Sequence, residues 1–256
     1  MLKRSATGPE ILSLKDKFRS LNIMMTGSDV FDHYTEAAVR YFQSLNGLTK
    51  DGIVGPRTLA MLDTATPLPT AVNPISWIAN TPYLSQRDNE HVPAGTCNVT
   101  ALAMVLAFHG LKVDEGQLED ALFEELESKE GRAYFEKNFP TLVKQGYNAR
   151  NVHGMLGWLA KKHGFQWKYT EGLSWKDMSA WAKPMITSGA FTGSGHVVCI
   201  TGMTICSDLV IHDPYGDWNT QYKNRDGEFR VYNKEDMEQI LSGTSKTLKR
   251  IHRIWK

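Results

Sequence analysis

Residues 65–75 decide how the chain can fold. They place Pro67, Pro69 and Pro74 among small side chains. Each proline fixes φ and removes a backbone donor, so the segment is expected to be an extended, semi-rigid connector. A 256-residue chain interrupted there builds two unequal cores, one from residues 1–64 and one from residues 76–256.

The first segment carries three apolar stripes at helical spacing. Ile11, Leu14, Phe18 and Leu21 form one, and Ala38, Val39, Phe42 and Leu45 a second. Leu59 and Leu62 belong to a third, with Pro56 at its first position. A small three-helix domain is expected.

Downstream, the apolar run Val99 to Phe108 has Val99, Leu102, Ala103 and Leu106 on one face and Gly110 as its stop. Further amphipathic helices are expected over Asp114 to Ser128 and Asn151 to Lys162, with a shorter one over Ser174 to Trp181. From about Met185 the pattern turns to strands: His196–Thr201, Leu209–His212, Glu228–Tyr232 and Lys249–Trp255. Helices followed by strands predict an α+β fold with an antiparallel sheet.

Composition excludes several classes. Lys plus Arg (29) nearly balances Asp plus Glu (28), so bulk charge favours neither nucleic acid nor stable membrane association. Three cysteines are too few for a disulfide scaffold, and none has zinc-ligand spacing. No metal or cofactor is expected. The N-terminus has basic residues without an apolar core of secretory length, and no apolar run reaches about 20 residues. The expectation is a monomer without an export signal or membrane insertion.

Cys97 falls where a turn gives way to the Val99–Phe108 run. A thiol in the first turn of a helix faces the positive end of the dipole and free amide groups, which favour the nucleophilic thiolate. A cysteine nucleophile also needs a base, a group that orients the base, and donors for the oxyanion. His196 follows Gly193-Ser194-Gly195 at a strand start, and Asp213 closes the next strand in His212-Asp213-Pro214-Tyr215-Gly216. Neighbouring antiparallel strands bring such a pair together, which is triad logic. Gln86, in Tyr83-Leu84-Ser85-Gln86-Arg87, is an uncharged donor upstream. Cys199 alternates with Val198 and Ile200 and is expected to pack. His212 should face away from His196, and Asp88-Asn89-Glu90 is a weaker candidate for a cation.

Two resemblances follow from these motifs. The opening helix, Thr35-x-x-Ala38-Val39-x-x-Phe42-Gln43 and Gly47-Leu48-x-x-Asp51-Gly52-x-Val54-Gly55-x-x-Thr58 resemble the peptidoglycan-binding domain of cell-wall hydrolases. The glycines usual in that family's loop are absent from Ser28–His33. Pro82-Tyr83-x-Ser85-Gln86, Thr96-Cys97-x-x-Thr100, Gly195-His196-Val197-Val198-x-x-x-Gly202 and Asp213-Pro214-Tyr215-Gly216 resemble papain-like cysteine peptidases, in particular the peptidase-like family around those that process double-glycine bacteriocin leaders. Together they imply a bacteriolytic enzyme of the phage endolysin type, held in the host cytoplasm before lysis. Its partner would be peptidoglycan and its action that of an endopeptidase, with amidase cleavage the alternative within the same class. The catalytic residues so implied are Cys97, His196, Asp213 and Gln86. Leader processing, or wall binding without catalysis, are the alternatives.

Overall fold

The computed structural model describes residues 1–242, 247–248 and 250–256. It is α+β. One compact unit holds Met1–Ile78, Gly202–Val210 and Val231–Lys234, and a second holds Ala79–Thr201, Ile211–Arg230 and Glu235–Lys256.

In the first unit, α1 (Pro9–Ser20), α2 (His33–Leu45) and α3 (Pro56–Thr64) form the expected helices, with proline opening α1 and α3. Ile11, Leu14, Phe18, Phe31, Val39, Phe42 and Leu62 make their common core. Each buried side chain of this size contributes about 1.5 to 3 kcal/mol. Two members of the expected stripes stand outside it: Leu45 is 52% and Leu59 43% exposed. Leu45 is the last residue of α2, where the chain leaves through Gly47 at φ 63°. The inward face of α3 is taken by Thr58 and Leu62.

The loop that lacks the family glycines is organised by charge instead. Asp32 caps α2 by accepting from the Thr35 N–H, and it also accepts from Thr26 Oγ1 at 2.6 Å. The wholly buried Lys15 ammonium lies 3.4 Å from it. Burial alone would raise the Asp32 pKa, but the Thr26 and Thr35 bonds and the Lys15 charge hold it below the usual carboxylate value. Its stabilising contribution is therefore present above that usual value and lost as pH falls through the lowered one. Asp32→Ala removes a cap and strands a buried cation, at an expected cost of about 3 to 5 kcal/mol, measurable as a shift in urea unfolding.

The proline segment runs extended along residues 21–24. Leu68 N–H donates to the Leu21 carbonyl at 3.1 Å and Val72 N–H to that of Asn22 at 2.8 Å. It leads into strand β1 (Ile75–Ile78).

The next element is α4 (Cys97–Phe108), whose residues from Asn98 to Leu106 are all buried. It is thus the central helix of its unit rather than a one-faced surface helix. Gly110 ends it at φ 90°: its N–H bonds the Ala107 carbonyl while that of Leu111 reaches Leu106, a paired closure of the last turn. α5 spans Leu118–Glu127 and is shorter than the expected Asp114–Ser128, because Gly116 at φ 74° breaks the first part. α6 (Lys129–Asn138), α7 (Pro140–Lys144) and α8 (His153–Lys162) follow.

Strands β2 (Gln166–Thr170) and β3 (Leu173–Ser174) then precede α9 (Trp175–Trp181). With β1 ahead of α4, this interleaves strands with helices, so the expected order of helices first and strands after is corrected. The chain continues through β4 (Met185–Gly189), β5 (His196–Thr204), β6 (Leu209–His212), β7 (Arg230–Tyr232), α10 (Lys234–Ser242), β8 (Thr247–Leu248) and β9 (Ile251–Trp255). The sheet order is β2-β9-β4-β5-β6-β7, with β1 also paired to β5. The β1–β5, β2–β9, β4–β5 and β4–β9 pairings are antiparallel. Two expected strands start later than read, after Phe229 at φ 45° and Arg250 at φ 56°. Lys249, the first residue of the expected last strand, lies outside the described residues.

Candidate active site

Cys97 is the first residue of α4 and is partly exposed. The approach to it is pinned by Asn89, whose Nδ2 donates to Thr96 Oγ1 at 2.8 Å and to Thr100 Oγ1 at 3.0 Å. Asn89 is only 4% exposed. Its neighbour Glu90 donates its N–H to Asp120 Oδ1 at 3.1 Å. This loop therefore secures the helix start. Among the described residues no group of three or more His, Cys, Asp or Glu is placed to hold a metal ion.

His196 opens β5 directly after Gly195, which turns at φ 83°. It pairs across the sheet with Gly189, where a Cβ would stand 2.7 Å from the Ile240 carbonyl oxygen. The His196 ring and Asp213, which directly follows β6, meet at 2.6 Å between Nε2 and Oδ1. Asp213 is fully buried. Its Oδ1 also accepts from the Tyr215 N–H at 3.0 Å. The backbone behind it is clamped: Asp213 N–H bonds the Gly227 carbonyl at 3.0 Å. The Tyr83 hydroxyl accepts from Gly227 N–H at 3.1 Å and donates to the Asp213 carbonyl at 3.3 Å. Only glycine fits at 227, since a Cβ there would lie 1.9 Å from that carbonyl oxygen.

Cys97 and His196 line one cavity of about 520 Å³. Burial disfavours the His196 imidazolium, but the Asp213 carboxylate and the nearby Cys97 side chain outweigh it and push the pKa up to about 10. The Asp213 charge thus favours the imidazolium over the neutral ring.

Three rings meet His196 edge-on: Phe191 at 6.0 Å, Tyr215 at 6.1 Å and Tyr222 at 5.9 Å between centroids. They screen the imidazole–carboxylate pair from water. Burial, and then the Asp213 charge, hold the Tyr222 phenol above its ordinary pKa. The sequence gives no signal for Tyr222. It arrives through left-handed backbone at Gln221 and Tyr222, φ 54° and 61°, in a turn closed by the Asp217 N–H on the Asn224 carbonyl.

Gln86 is almost fully buried, and its N–H bonds the Pro214 carbonyl at 2.9 Å, joining it to the Asp213 turn. Its side-chain Nε2 donates to the Pro93 carbonyl at 2.6 Å, and it is not among the residues lining the cavity. Cys97, His196 and Asp213 are therefore brought together, with Gln86 tied to the same loops by its backbone. Cys199 is fully buried, and burial raises its thiol pKa. His212 packs edge-on against Phe229 at 4.3 Å and Tyr83 at 5.5 Å.

The helical unit has its own concavity, about 540 Å³, lined by Gln43, Leu48, Asp51, Ile53, Gly55 and Thr58 among others. Gln43 holds it open from below. Its Nε2 donates to Asp51 Oδ1 at 2.8 Å, and its Oε1 accepts from Gly52 N–H at 2.9 Å.

A half-exposed thiol at a helix start thus lies beside an imidazole fixed by a buried carboxylate, the arrangement that cysteine nucleophile chemistry requires. The chain belongs to the Peptidase_C39-like family, whose model matches residues 78–241. The peptidoglycan binding domain family matches residues 7–62. No curated protein matches the chain. Among solved structures it is similar to the peptidase domain of Streptococcus ComA, a bi-functional ABC transporter involved in quorum sensing. The identity is 17% and the TM-score 0.44, over 69% of this chain and 97% of that one. No described helix is long and apolar enough to cross a membrane.

Proposed function

We propose that the protein is a bacteriolytic peptidoglycan hydrolase of the endolysin type, acting as an endopeptidase on amide bonds of the stem peptide or cross-link. Residues 1–64 hold it on the wall, residues 65–75 connect, and residues 76–256 cut. Tethering raises the effective substrate concentration at the catalytic segment. The observation that carries this reading is the Cys97, His196 and Asp213 constellation, with Nε2 on Asp213 at 2.6 Å, in a chain that also has a peptidoglycan binding domain.

With Nε2 committed to Asp213, Nδ1 of His196 serves the thiol. Cys97 Sγ attacks the amide carbonyl, and the imidazolium protonates the departing amine as the C–N bond breaks. Water then attacks the thioester, giving a carboxylic acid and returning the thiol. Cys97 N–H stabilises the oxyanion, and Gln86 is the second donor once its amide turns from the Pro93 carbonyl into the cavity. The enzyme works as a monomer and is held in the host cytoplasm until lysis.

Two assays test this. The protein should sediment with purified sacculi and clear a turbid suspension of them; binding without clearing returns it to a wall-binding role, and clearing without binding removes the tether. Gln86→Ala should lower turnover by about 10² to 10³, the scale for losing one oxyanion donor. An unchanged rate reassigns Gln86 to holding the Pro93 loop.

A further inference from the structure

The cavity beside Cys97 contains three basic side chains that the proposed triad leaves unused: Arg150, His153 and Arg250. His153 is the first residue of α8, and its Nδ1 lies 2.8 Å from Nε2 of His252. Nδ1 of His252 receives the indole N–H of Trp167 at 3.0 Å. The β2–β9 ladder makes this possible by pairing Tyr169 with His252 and Trp167 with Ile254.

An indole N–H can only donate, so Trp167 sets the direction of the whole chain. It makes Nδ1 of His252 an acceptor. The single proton of that ring is then on Nε2 and is donated to Nδ1 of His153. The single proton of His153 is left on its own Nε2. Protonating either ring would set N–H against N–H. Burial lowers both pKa values, that of His252 to about 3, with the His153 charge lowering His252 and the Arg250 charge lowering His153, against a smaller opposite effect of Glu171.

The chain of bonds therefore ends in a fixed donor on a cavity residue. Its polar neighbour is Ser188 Oγ at 3.5 Å, long for a hydrogen bond. Because that nitrogen carries the proton, His153 is not a second base for Cys97. The Tyr169 ring, stacked at 5.6 Å, holds the imidazole in place. Charge points the same way: Arg150 and Arg250 line the cavity, and among the described residues no acidic one does. The buried Nε of Arg150 has no acceptor among the described residues.

We infer that this part of the cavity binds a carboxylate of the peptide substrate, with His153 Nε2–H as the oriented donor and Arg250 as the countercharge. The inference deepens the proposed function and rests on its site. It makes His153 and Arg250 specificity-determining residues, and His252 and Trp167 positioning residues that act through His153.

The test compares alkylation of Cys97 in the full chain by iodoacetate and by iodoacetamide, read by peptide mass spectrometry so that Cys199 and Cys206 do not contribute. The two reagents differ in a carboxylate against a neutral amide. The iodoacetate-to-iodoacetamide rate ratio is expected to be about tenfold higher in the wild type than in a His153→Phe, Arg250→Met double variant, the size of one charge-assisted hydrogen bond. His153→Gln, which restores a donor, should recover part of the ratio. Arg250→Met alone, at an exposed side chain, keeps the comparison usable where the double variant misfolds. Equal ratios in wild type and variants overturn the inference, whatever happens to sacculi. A preserved preference in a protein that clears no sacculi leaves the carboxylate site standing and removes the proposed function.

Discussion

Cys97→Ala is expected to reduce peptidoglycan hydrolysis by on the order of 10⁴-fold or more, the range seen when a nucleophile is removed from a group that acts as a unit, while sedimentation with sacculi is unchanged. Neither remaining thiol can substitute. Cys199 is fully buried in β5, with a thiol pKa raised by burial, and Cys206 is not among the residues lining the cavity. The substitution removes Sγ from a partly exposed position at the start of α4, so folding should be little affected. Turbidity clearing and co-sedimentation, measured on the same preparation, separate the two effects. Clearing by Cys97→Ala at the wild-type rate would remove the nucleophile from the account.

Asp213→Asn should be nearly as damaging, about 10⁴-fold in kcat by the precedent of a triad carboxylate turned to amide. Oδ1 of Asp213 serves two donors, His196 Nε2 at 2.6 Å and Tyr215 N–H at 3.0 Å. An asparagine oxygen keeps both contacts and the volume but removes the charge that offsets burial of the imidazolium. The His196 pKa, about 10 in the folded wild type against 6.5 for a free histidine, should fall. Because the folded value is the raised one, His196 contributes stability that is fully present below about pH 6.5 and is lost as pH rises through about 10. The alkaline limb of kcat/KM should accordingly lie near pH 10 in the wild type and move down in Asp213→Asn. An alkaline limb at the same pH in both proteins would show that the Asp213 charge does not hold the imidazolium.

What the sequence disclosed and what it withheld follow from the range of the interactions. The start of α4, its glycine stop and the bounds of β6 depend on neighbours within a few residues, and the reading of Cys97 at a helix start relied on no more than that. His196 and Asp213 were readable because a short connection joins their strands. The all-round burial of α4 was not legible, since α5, α8 and the sheet cover faces that periodicity alone leaves open. The exposure of Leu45 and Leu59 depends on where α2 and α3 end and turn.

Residue type marks the Gln86 side chain as a donor, yet the acceptor it meets is the Pro93 carbonyl, which only the folded loop brings to it. The Trp167, His252 and His153 chain was still less accessible. It joins a strand in the middle of the sequence to one at its end, and its directionality emerges only once an indole N–H is seen on a particular ring nitrogen. Likewise, Tyr222 reaches His196 through two residues in left-handed conformation that no local pattern marks.

Mass spectrometry of the fragments released from purified sacculi tests the central claim most directly, because it reports the bond and the catalyst together. The account predicts fragments with new amino and carboxyl termini inside the peptide, each cut adding one water, produced by the wild type and absent with Cys97→Ala. Release of glycan pieces with intact cross-linked peptides, or the same fragments from Cys97→Ala, would contradict it.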